Sequence, residues 1–111
     1  MKYRFTSNTK VVNGHNLRQI IRLKDNILGG WIEKESNLSQ EGERWVDGDA
    51  RVHGNAQVYE DARVYWDAGV RGAARVHGDA WVHGDAQVDG NAWVYRDAQV
   101  TSNKVSNKGE K

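Results

Sequence analysis

Cysteine and proline are both absent from the 111 residues. Without cysteine there can be no disulfide and no thiolate metal site, so packing alone must hold the fold. Such a chain suits a reducing compartment. No run of roughly 18 apolar residues occurs, and no basic-then-apolar leader opens the chain, so neither a membrane span nor a signal peptide is expected. Hydrophobic residues make up only 38%, which allows one domain with a modest core. A concentrated basic stripe is missing too. Residues 1–44 carry eight Lys/Arg against five Asp/Glu, residues 45–100 carry five Arg, no Lys and nine acids, and the tail from Thr101 carries three Lys and one Glu. Specific nucleic-acid binding, which needs clustered cations to neutralise phosphates, is therefore not expected.

What is present is a repeat. Valine recurs every six residues at Val46, Val52, Val58, Val64, Val70, Val76, Val82, Val88, Val94 and Val100, and from Ala50 to Ala98 an alanine stands two places before each later valine. Residues two apart on an extended strand point to the same side, so each Ala/Val pair faces inward and its neighbours face outward. Three residues separate each valine from the next alanine. The middle one is glycine at Gly48, Gly54, Gly72, Gly78, Gly84 and Gly90, and the third is Asp or Asn everywhere but Ala73. Glycine admits a positive φ, and Asx side chains can bond nearby backbone, so each hexapeptide reads as one short strand plus one corner. A helix is excluded, because a period of six does not follow the helical repeat and Gly-Asp pairs would break it.

These hexapeptides resemble the left-handed β-helix family, in which three hexapeptides make one triangular coil. The resemblance, and not the spacing, implies the handedness. Stacking by eighteen gives three inward columns: Val46, Val64, Val82 and Val100; Val52, Val70 and Val88; Val58, Val76 and Val94. The expected fold is all-β: a short left-handed parallel β-helix of about three regular coils with an N-terminal β-hairpin cap. The hairpin signal is Val11-Val12-Asn13-Gly14-His15, an Asn-Gly turn between apolar flanks. Leu17, Ile21 and Leu23 are expected to line one face of the returning strand, and Gly29-Gly30 to mark a turn. Ile32 and Leu38 begin an irregular coil, and the eight-residue step from Leu38 to Val46 implies a two-residue bulge. The expected division is a cap at 1–45, the repeat at 46–101 and a polar, flexible tail at 102–111.

The segment LGGWIEKESNLSQEGERWV looks like the N-terminal cap of YdcK-like hexapeptide-repeat proteins of bacteria and their phages. With the repeats, that resemblance covers most of the chain. It implies a homotrimer in the cytoplasm of a bacterial host, or associated with a virion. A capped end is also what an open Val/Ala prism requires.

The outward positions divide by face. One bears Arg51, His53, Gly69, Arg71, Gln87 and Asp89 and is polar. The second bears Gln57, Tyr59, Arg75, His77, Trp93 and Tyr95. The third bears Trp45, Asp47, Arg63, Tyr65, Trp81, His83 and Gln99, with Trp66 at a corner in place of glycine. Exposed aromatics can simply ladder along a sheet. Trp, Tyr and Arg are also the residue types enriched at binding hot spots. The expected interaction surface is Trp45, Tyr59, Arg63, Tyr65, Trp66, Arg75, Trp81, Trp93 and Tyr95, meeting further copies of the chain or a host or phage protein. No membrane contact is expected.

Many left-handed β-helix proteins are trimeric acyltransferases with a histidine base, which gives the alternative: acetyl-CoA as cofactor and His77, His83 or His53 as base. Each of these occupies the ordinary slot after valine, with nothing to set it apart as a positioned base. No cofactor and no metal are expected on the main reading. The acidic ladders Asp49/Asp67/Asp85 and Asp61/Asp79/Asp97 are read as corner residues rather than a calcium site. Related carbonic anhydrases hold zinc on this fold, but His77 and His83, six apart, fall on different faces and diverge.

Overall fold

The computed structural model describes residues 2–12, 14–40 and 45–101, and the backbone of 104–105. Asn13 of the expected turn, residues 41–44 beside the expected bulge, and tail residues 102, 103 and 106–111 lie outside the described residues. The architecture is a parallel β-solenoid of about four turns, preceded by an antiparallel hairpin.

Strands β1 (Tyr3–Val12), β2 (His15–Arg22) and β3 (Ile27–Ile32) form an antiparallel meander. A single 3-10 turn at Glu35–Asn37 follows. Then come the two-residue rungs: β4 (Trp45–Val46), β5 (Arg51–Val52), β6 (Gln57–Val58), β7 (Arg63–Val64), β8 (Gly69–Val70), β9 (Arg75–Val76), β10 (Trp81–Val82), β11 (Gln87–Val88), β12 (Trp93–Val94), β13 (Gln99–Val100) and β14 (Lys104–Val105). They stack as three faces. The polar face runs β1-β2-β3-β5-β8-β11-β14, so the hairpin continues the same sheet. The Trp93 face is β6-β9-β12, and the Trp81 face is β4-β7-β10-β13.

The three valine columns form as the spacing requires. Val46 pairs with Val64, Val52 with Val70, and Val58 with Val76. All ten valines are essentially inaccessible, as are the alanines beside them. The irregular first coil is present. Ile32 pairs with Val52 and Leu38 with Val58, each twenty residues on instead of eighteen, so two extra residues lie between Leu38 and Val46. At the far end Val88 pairs with Val105, seventeen on. Lys104–Val105 thus adds a rung to the polar face within the segment read as tail.

The corners are closed by backbone, not by the acids. At every corner from Ala50 to Ala98 the alanine N–H donates to the carbonyl three residues earlier, as Ala50 does to Asp47 at 3.1 Å. The first corner residue has positive φ at all nine corners, and the second at none. The first central position therefore calls for a residue that tolerates positive φ. The second residue's N–H, as at Asp61, Ala73 and Asp79, donates to the corner carbonyl of the next coil. This bond needs no side chain, which is why Ala73 serves as well as Asp.

Two readings of the cap are corrected. Gly29 and Gly30 are not a turn but the middle of β3. A Cβ on Gly29 would lie 2.6 Å from the Trp45 ring, and one on Gly30 would lie 2.6 Å from Val46 Cγ1 and 2.7 Å from the Ala50 carbonyl. Glycine is there so that the strand can approach the first coil. The turn instead spans Leu23 to Asn26, with Asn26 left-handed and Arg22 paired to Asp25 at 2.7 Å. Leu17 and Ile20, not Ile21 and Leu23, are the buried residues of β2, and Leu23 is exposed. A register shift between Gln19 and Ile21 breaks the alternation. Gln19 holds this irregularity and the one in β1 together: its Nε2 donates to the Gly29 carbonyl, and its Oε1 accepts from Asn8 Nδ2.

Tyr3 plugs the prism's open end. Fully buried, it packs edge-on against Trp45 and donates its hydroxyl to the Leu38 carbonyl at 2.6 Å. Burial pushes its ionisation well above the usual tyrosine range, with the Glu35 charge acting in the same direction. Asn37 is also fully buried and fully used. Its Oδ1 accepts from the N–H groups of Glu33 and Lys34, and its Nδ2 donates to the carbonyls of Gly54 and Ala56. Among the described residues no helix is long and apolar enough to cross a membrane.

Candidate functional site

The expected interaction residues separate onto two faces. On the Trp81 face a groove of about 450 Å³ is lined by Arg22, Trp45, Arg63, Tyr65, Trp66 and Trp81, with Lys24 beside them. The rungs set the outward positions of Trp45, Arg63 and Trp81 one above another. The hairpin turn contributes Arg22 and Lys24. Trp66 is 61% exposed and Trp81 39%. Trp45 is only 7% exposed. Its ring packs over Gly29 beneath the Arg22 guanidinium, 5.3 Å from the ring centre. It belongs chiefly to the core of the cap.

Trp66 stands out because of its backbone. It occupies a corner position with φ of 63°, where six of the nine corners use glycine. The left-handed region costs a residue with a Cβ about 1–2 kcal/mol. Glu60 and Arg96 occupy the same kind of corner. Glu60 has an evident use, accepting the N–H of Gly78 at 2.8 Å. The Trp66 ring meets Tyr65 and His83 edge-on and is otherwise open.

On the Trp93 face, Tyr59, His77 and Tyr95 stack as a ladder, with ring centroids 4.8 and 5.7 Å apart. Trp93 is 46% exposed and meets His77 edge-on. Arg75 sits one rung before Trp93 in the same column. Its groove on this side, with Tyr59, is shallow and lies next to the 3-10 turn.

Of the histidines named for acyl transfer, His77 and His83 are engaged in stacks. His83 lies against Tyr65 at 4.8 Å, and both of its ring nitrogens are inaccessible and unpartnered. His77 is sandwiched between two tyrosines, with Nδ1 3.3 Å from Glu60. His53 is 4% exposed.

The structure also assembles a cluster that the sequence reading missed. His15 at the start of β2, Glu33 just after β3 and His53 just after β5 meet on the polar face, with one potential ligand atom from each within 4.8 Å of the others. His15 Nδ1 lies 3.1 Å from both Glu33 oxygens. The His15 and His53 rings are 4.6 Å apart. Glu33 Oε1 accepts the Gly54 N–H at 2.7 Å, which holds the carboxyl below its usual range. Burial, reinforced by His15, lowers the His53 ionisation. The signal was available in part: Glu33 and His53 follow Ile32 and Val52, equivalent positions once the two extra residues are counted. Placing His15 there required the hairpin register. The acidic ladders form no comparable group among the described residues.

No protein-family model matches the chain, and no curated protein matches it either.

Proposed function

We propose that the chain is a non-catalytic interaction module of phage or prophage type, binding a protein partner through its aromatic faces and the Trp81-face groove above all. The observation that carries this reading is Trp66, a large exposed ring kept at a strained corner where glycine is the ordinary residue. The fold gains little from it, and a rigid aromatic anchor is what a binding surface uses. The groove lining carries Arg22, Lys24 and Arg63 against the single carboxylate of Asp47, so the best-matched partner segment is apolar with carboxylates. The likeness of the cap and hexapeptides to YdcK-like proteins supports the finer points: left-handed coils, a trimer, and a bacterial cytoplasm or virion as the setting.

The test is a comparison of the full chain with Trp66→Gly/Trp81→Thr. Light scattering reads self-association, and paired pull-downs from host lysate read partner capture. The proposal expects the wild-type chain to exceed its 12.5 kDa monomer mass or to retain a protein that the double variant, still folded, does not. A monomer whose captured proteins match those of the variant overturns it. So does saturable acetyl-CoA binding by calorimetry that is lost on His77→Ala or His83→Ala.

A further inference from the structure

We propose that His15, Glu33 and His53 form a binding site for a zinc-class divalent ion, which staples the hairpin to the first two coils. The donor set is two imidazoles and a carboxylate with no thiolate, a combination that suits zinc and its late first-row neighbours rather than calcium or magnesium.

The geometry is close to what such an ion needs. Ligands held 2.0–2.1 Å from a tetrahedral zinc stand about 3.3 Å from one another. His15 Nδ1 and the Glu33 oxygens are already 3.1 Å apart, and the widest gap in the cluster is within 4.8 Å. His15 has the most room to adjust, its side chain being 39% exposed. The other two are more enclosed. Glu33 is tied to Gly54 through Oε1 and keeps Oε2 for a metal. His53 is 4% exposed, with its Nδ1 buried and unpartnered. A buried imidazole nitrogen without a partner carries a desolvation cost, which rotation of the ring onto a nearby ion would remove. Arg71, a cation that acts on His53, is already held by Asp89 at 2.8 Å and Gln87 at 2.6 Å.

Topology gives the ion a mechanical role. His15 follows the tip of the first hairpin, while Glu33 and His53 belong to successive rungs of the polar face. Three protein ligands also leave one coordination position for water or for a donor from a partner.

The experiment uses the full chain, purified without a polyhistidine tag and stripped by chelator. Zinc chloride and magnesium chloride are titrated separately by calorimetry, and cobalt(II) is added as a spectroscopic probe. The expected result is saturable uptake of a single zinc equivalent, no comparable magnesium binding, a visible cobalt d–d band and a raised melting temperature. His15→Asn is a surface change that leaves the solenoid intact, as circular dichroism will verify. It should weaken zinc binding by at least about tenfold, since losing an outer-shell group alone can do as much. Glu33→Gln should do the same, while His77→Gln should change nothing. Absence of saturable zinc uptake, equal magnesium binding, or affinity that survives His15→Asn and Glu33→Gln each overturns the site.

Discussion

At the scale of single residues, the corner conformation separates what the fold needs from what it tolerates. Nine corners share one backbone geometry, and glycine is the residue that adopts it without strain. Trp66→Gly should therefore leave stability unchanged or raise it by up to about 1 kcal/mol, the left-handed penalty less the lost ring contacts. Glu60→Gly should not behave in this way, because it deletes the acceptor for Gly78 N–H and the partner of His77. Urea unfolding followed by tryptophan fluorescence distinguishes the two. If Trp66→Gly loses more than Glu60→Gly, the ring is structural and the argument for an interface weakens. Asn37 gives a sharper case. Its side chain is fully buried and makes four hydrogen bonds to backbone groups. Asn37→Ala removes the partner of four backbone groups at once, a buried one among them worth about 1–3 kcal/mol, so a loss of at least about 2 kcal/mol is expected in the same unfolding experiment.

At the scale of elements, the cap is where tertiary packing overrides local signals. Gly30→Ala places a methyl 2.6 Å from Val46 Cγ1 and 2.7 Å from a backbone carbonyl, neither of which can move freely. The expected loss is about 1–3 kcal/mol, the usual cost of overpacking, read as a lower melting temperature. An unchanged midpoint would mean that β3 does not sit tightly on the first coil. The same place shows what the sequence could and could not disclose. Ala and Val at a fixed six-residue spacing declare both the strand and its inward side, because each rung repeats one local rule. Gly29-Gly30 obeys no such rule. As a dipeptide it reads as a turn, and only the approach of Trp45 and Val46 makes it strand. Leu17 faces inward as its place in the alternation requires, but the sequence offers Ile21 and Leu23 as its partners in place of Ile20 for a related reason: a register shift at Gln19 cannot be seen in an alternation pattern. The aromatic faces followed from the hexapeptide register. The His15–Glu33–His53 cluster did not, since it joins two different topologies.

At the scale of the whole molecule, the solenoid has a direction and two unlike ends. The N-terminal end is sealed by the meander, with Tyr3 filling the prism. Toward the other end, among the described residues, β12 and β13 have strands on one side only. In such a stack each coil is held by its neighbours, so resistance to unfolding depends on position. Val64 lies between Val46 and Val82 in its column, whereas Val100 has Val82 on one side only. Replacing either valine by threonine keeps the shape and buries a hydroxyl, a change worth about 1–3 kcal/mol in a closed core. Val64→Thr should show that full loss in global unfolding and speed hydrogen exchange in every rung. Val100→Thr should lose less than half as much, because the last coil can open and hydrate the hydroxyl while β5 to β9 stay closed. Its faster exchange should be confined to β12 and β13. Equal losses with uniform exchange would instead mean that the end coil is as tightly coupled as the middle, with its edge covered by the tail or by another chain.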